Sequence, residues 1–103
     1  MTPITFEKLI ETIESLDYNT GIYGDVEAWG ERPMQEPLYL ATMDDESEPD
    51  FDTKLGEAGL HEFFQLPTLQ DIVRVERKKR PAATAEDMVE AAKHYRQFDD
   101  FRA

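Results

Sequence analysis

Leu38-Tyr39-Leu40-Ala41-Thr42-Met43-Asp44-Asp45-Glu46-Ser47-Glu48-Pro49-Asp50-Phe51-Asp52 is the stretch on which the fold turns. Its first six residues form a short apolar run behind Pro37, the pattern of a strand. The next nine positions carry six carboxylates, and like charges at that density must be solvated. The passage predicts a strand that leaves the core and enters an acidic loop. Pro49 and Asp50 predict the start of a short helix through Glu57, ended by Gly59. A second strand is expected over His61-Glu62-Phe63-Phe64-Gln65-Leu66, paired with 38–43.

Upstream, Phe6, Leu9, Ile10, Ile13 and Leu16 recur at three- and four-residue steps, which places them on one helix face. Glu7, Lys8, Glu11, Glu14 and Ser15 occupy the other. Thr5 reads as the N-cap, with Thr2-Pro3 as an alternative start, and Asn19-Thr20-Gly21 as the stop. Residues 19–37 hold Gly21, Gly24, Gly30, Pro33 and Pro37 and read as a packed-down loop with a short helical turn around Asp25–Trp29. Downstream, Thr68 is the expected cap of a helix that turns Leu69, Ile72, Val73 and Val75 inward and ends in Arg77-Lys78-Lys79-Arg80 before Pro81. Thr84, with Asp87 three residues on, opens the last helix. Its apolar stripe is Met88, Ala91, Ala92, Tyr95 and Phe98.

The predicted fold is therefore α+β over one domain, residues 1–103. It comprises an N-terminal helix, a small antiparallel sheet of two or three strands, and two C-terminal helices packed on it. A length of 103 residues suits one domain. The hydrophobic share of 40% is too high for a wholly disordered chain. The N-terminus lacks the basic start and unbroken apolar run of a secretory signal, and no 18 consecutive apolar residues occur. With no cysteine, disulfides, thiolate nucleophiles, zinc–thiolate sites and iron–sulfur clusters are excluded. A cytoplasmic location is the expectation.

The charge is uneven. Residues 1–70 hold 16 acidic and 3 basic side chains, while residues 71–103 hold 7 and 8. The net charge of −12 therefore arises ahead of the closing helix pair. Such a surplus costs self-repulsion, tolerated either for solubility or to meet a basic partner. It disfavours nucleic acid and anionic membranes, both polyanions, as partners.

No catalytic constellation emerges. The carboxylates of 44–52 lie in a polar loop, where none is desolvated enough to act as a raised-pKa acid. A calcium loop starting at Asp44 would put Pro49 where glycine is needed, and one starting at Asp50 would put Leu55 there. His61 and His94 belong to no metal-binding spacing, and Ser15 and Ser47 to no nucleophile motif. Gly21-Ile22-Tyr23-Gly24 runs into Asp25, which would repel a phosphate. No cofactor, metal or enzymatic activity is expected.

Tyr18, Tyr23, Trp29, Tyr39 and Phe51 are interleaved with Asp17, Asp25, Glu27, Glu31, Asp50 and Asp52. Rings that anchor beside carboxylates that steer suit a binder of a basic protein. Tyr39 and Trp29 are assigned to the core, and Tyr23 and Phe51 are left open between core and surface. The expected contact residues are Asp44, Asp45, Glu46, Glu48, Asp50 and Asp52, with Tyr23, Trp29 and Phe51 as candidate anchors.

Three further segments join the strand and acidic turn of Leu38–Asp52: Gly59-Leu60-His61-Glu62-Phe63-Phe64, Leu69-Gln70-Asp71-Ile72-Val73, and the closing Ala91-to-Phe101 helix. Across 38–101 the chain resembles small acidic bacterial immunity proteins of contact-dependent inhibition and related polymorphic-toxin systems. The shared motifs are structural. The resemblance implies a non-enzymatic inhibitor that binds one cognate toxin domain, commonly a basic nuclease, and blocks its active site. The Arg77–Arg80 run departs from that pattern and should lie away from the interface. Two other readings are a nucleic-acid mimic of the anti-restriction or anti-CRISPR type and a small-molecule-binding domain.

Overall fold

Four short strands, β1 (Thr2–Ile4), β2 (Gly21–Gly24), β3 (Leu38–Ala41) and β4 (His61–Phe64), form one antiparallel sheet in the order β1-β3-β2-β4. They belong to a computed structural model that describes residues 1–103. The fold is α+β as the sequence predicts, with a four-stranded sheet rather than two or three strands. The expected pairing of 38–43 with 61–66 is corrected: β2 lies between β3 and β4 and bonds to both.

The loop reading of 19–37 fails because of its glycines. A Cβ on Gly24 would stand 2.6 Å from Leu38 Cδ2, and one on Gly21 would stand 2.7 Å from Tyr23 Cε2. Glycine is present in β2 because neighbours approach the backbone closely, which is its use inside a strand. Pro3 is likewise tolerated in β1 because that strand is an edge, paired only with β3.

Six helices complete the fold: α1 (Phe6–Thr12), α2 (Val26–Glu31), α3 (Met43–Glu46), α4 (Phe51–Ala58), α5 (Leu66–Lys79) and α6 (Ala85–Phe98). Thr5 caps α1 by accepting from the Lys8 N–H, and a 3₁₀ turn over Ile13–Ser15 continues it. Asp25 caps α2 by accepting from the Ala28 N–H. Gly59, at φ 69°, ends α4 in the left-handed conformation that favours glycine. Thr84 and Asp87 form the expected capping box at α6. Thr68 does not cap α5. That helix begins three residues earlier than such a cap would set, at Leu66 behind Gln65, and Pro67 occupies the first turn, where a missing N–H costs nothing.

Alternation along β2 and β3 divides the molecule into layers. Leu38 and Ile22 face α1, α2, α5 and α6 in a core of 17 buried residues, with Leu40 partly buried against it. Phe6, Trp29 and Phe63 lie at its centre, with ring centroids 4.7–6.3 Å apart. Tyr23 and Ala41 face the other way, into a cluster of four with Phe51 and Leu55 of α4. The acidic segment therefore covers the second face of the sheet. Part of it is helical, as α3, and not a loop throughout.

Two apolar expectations at the C-terminal helices also change. Phe98, the last residue of α6, is exposed, with its ring 4.6 Å from that of His94. In α5, Val75 is half-buried, while Glu76 beside it is 2% exposed. The Glu76 carboxylate accepts from Arg80 at 2.8 Å and from Arg102 at 2.7 Å. Arg80 also donates to the Ala103 carbonyl, and Lys79 to the Arg102 carbonyl. The basic run thus holds the chain's last residues against α5 and makes no ion pair with the acidic segment.

Candidate protein-binding surface

Residues 43–58 carry seven carboxylates and one lysine, half of the chain's net charge of −12. They form one layer because of what lies under them. Phe51 and Leu55 fall on one face of α4 and pack on the second side of the sheet, with the Phe51 ring edge-on to Tyr23 at 5.3 Å. Thr42 caps α3, and Asp45 closes the capping box by accepting from the Thr42 N–H at 2.9 Å. The Tyr23 hydroxyl donates to Glu46 Oε2 at 2.6 Å and ties α3 to β2. Gly21 leaves room for that bond, since a Cβ there would lie 2.8 Å from the same carboxylate oxygen.

The six predicted carboxylates therefore divide by role. Asp45 is a cap, also 3.8 Å from the terminal amine, and the Thr42 backbone N–H holds its carboxyl below the ordinary range. Glu46 serves Tyr23. Asp50 stands at the N-cap position of α4 and lies 3.3 Å from Lys54. Asp44, Glu48 and Asp52 are exposed and have neither a hydrogen-bond nor an ion-pair partner. These three are free to meet another molecule.

The three predicted anchors are not at the surface. Trp29 is 1% exposed within the main core, as its assignment to the core expected, while Tyr23 and Phe51 lie under α3 and α4. The rings of Tyr23 and Phe51 hold the acidic layer down, together with Ala41 and Leu55. Exposed apolar groups here include Met43, at 58%, Met1, at 45%, and Tyr18, at 80%, next to Asp17 in the chain. Met43 lines a cleft of about 260 Å³ with Asp17, Asn19, Thr20, Thr42 and Asp44. The turn that forms its wall is set by Asp17, whose Oδ1 accepts from the Asn19 N–H.

Burial, then the hydrogen bond to Glu46, push the Tyr23 phenol well above its ordinary range, and the charges of Glu46, Glu62 and Asp52 add to this. The phenol is neutral in the folded state. Its stabilisation is complete below about pH 10, where the unfolded chain's tyrosine begins to ionise, and is lost as pH rises toward the folded value. Thermal unfolding of the wild type should therefore weaken more steeply above pH 10 than that of Tyr23→Phe. Parallel melting-temperature profiles for the two proteins would contradict this.

No group of three His, Cys, Asp or Glu side chains is placed to hold a metal ion. No helix is long and apolar enough to cross a membrane. No family model, no curated protein and no solved structure matches the chain.

Proposed function

We propose that the protein is a non-enzymatic inhibitor that binds a basic protein partner through its acidic face, acting in the cytoplasm as an immunity protein against a toxin domain such as a nuclease. One observation carries this reading. Half of the net charge sits in the α3–α4 layer, where Asp44, Glu48 and Asp52 are exposed and unpartnered beside the exposed Tyr18 and Met43. Free carboxylates steer an approaching cation, and apolar groups at the rim of the cleft supply contact area once it arrives. The basic run at the end of α5 belongs to the helical layer on the other side of the sheet, so it does not repel such a partner.

The test takes as partner the basic protein that the wild-type chain captures from its native cell. Reversing the three free charges together (Asp44→Lys, Glu48→Lys, Asp52→Lys) removes no internal contact and should leave the circular dichroism spectrum unchanged. Association at low salt should slow by roughly tenfold or more and lose most of its salt dependence. Unchanged stopped-flow rates would mean that the acidic layer serves solubility alone. A protein that competed with DNA for many unrelated DNA-binding proteins would instead be a nucleic-acid mimic.

A further inference from the structure

Of the eleven cationic side chains in this chain, Arg77, Lys78, Lys79, Lys93 and Arg96 form no ion pair; the first three lie at the end of α5, and the other two stand together on α6. Two that form no ion pair, Lys93 and Arg96, line one cleft of about 320 Å³ between α2 and α6. Val26, Trp29, Gly30 and Gln97 complete its walls. Glu90, one turn before Lys93, makes no ion pair with it.

Arg96 is exposed but fixed at its head group. Arg96 Nη1 donates to the Phe63 carbonyl at 2.5 Å, and its guanidinium lies 5.5 Å from the Phe64 ring centroid. A guanidinium has five N–H donors, and this contact uses one. Lys93 is half-buried. Trp29 adds an independent observation. Its indole N–H is buried and is the one buried side-chain polar atom in the molecule with no hydrogen-bond partner. Such an orphan donor is costly and calls for an acceptor. Beside it, a Cβ on Gly30 would meet nothing within 4 Å, so the wall is open there.

We infer that this cleft is an oxyanion site, which takes the phosphate or carboxylate group of a small molecule. Lys93 neutralises the charge, Arg96 supplies a planar fork of donors on a fixed mount, and the Gln97 amide adds a neutral donor. The site lies in the helical layer, away from α3 and α4, and does not depend on the protein-binding reading.

Trp29 is the only tryptophan and lines the cleft, so its single indole ¹H–¹⁵N resonance is a local probe of it. The full-length protein is titrated separately with inorganic phosphate and with acetate, each at constant ionic strength, with chloride as the control. The expected result is a saturable shift of the indole resonance with phosphate, acetate or both, and the anion that saturates identifies the ligand group. Lys93→Ala, which breaks no observed contact, should weaken the binding by roughly tenfold while leaving the rest of the spectrum in place. A shift no larger than that with chloride overturns the inference, as does equal binding by Lys93→Ala.

Discussion

Trp29→Ala is expected to lower the unfolding free energy by about 3–5 kcal/mol, the usual cost of deleting a buried large ring. The side chain is 1% exposed, and its centroid lies 5.3 Å from that of Phe6 and 4.7 Å from that of Phe63. Through those rings it joins α2 to α1 and to β4. Its removal opens a cavity between three elements that cannot all move inward at once. A domain of this size loses about 4–8 °C of melting temperature per kcal/mol, so a fall of roughly 12–40 °C should appear by calorimetry. Trp29→Phe should cost much less, because it keeps most of the contact area and removes the unpartnered N–H. If the two variants melted together, the ring would not be the centre of the core.

The second large effect concerns Glu76. Its carboxylate is 2% exposed and is held by Arg80 and Arg102, which are themselves 40% and 23% exposed. Removing both arginines (Arg80→Ala with Arg102→Ala) strands a buried charge. The expected loss is about 3–5 kcal/mol, as for other broken buried pairs. Either single variant should cost much less, since one guanidinium still reaches the carboxylate. Glu76→Leu in the double-variant background should restore most of the loss, because an apolar side chain of similar size needs no counter-charge. Urea unfolding of the four proteins checks this. A double variant no less stable than the singles would show that the carboxylate is satisfied by water.

The elements legible in the sequence are those that local pattern alone determines. Phe6, Leu9, Ile10 and Ile13 mark α1, and the Thr84–Asp87 box opens α6 at its observed start. Gly59 ends α4 as read. Elements set by distant contacts were not legible. β2 is a strand because Leu38, Tyr39 and Glu62 lie alongside it, and its two glycines read as breakers until Leu38 and Glu46 are seen pressing on them. β1 contains a proline that is acceptable only at an edge. Glu76 reads as one more surface carboxylate beside Arg77, because its second partner, Arg102, is supplied by the far end of the chain. The acidic surplus of the candidate site could be read from composition. Which carboxylates were free could not, because Asp45 and Glu46 differ from Asp44 only in what α3 brings beneath them.

The strand order β1-β3-β2-β4 also bears on how the chain assembles. The nearest pairing along the chain is β2 with β3, where Ile22 meets Leu40. Thr2 with Leu40, and Ile22 with Phe64, each span about twice that separation. Closing the shorter loop first loses the least chain entropy. The β2–α2–β3 hairpin-like unit is therefore the natural nucleus, with Trp29 already inside it. β1 and β4 join its two open sides later, so both edges of the finished sheet are added to a centre already formed.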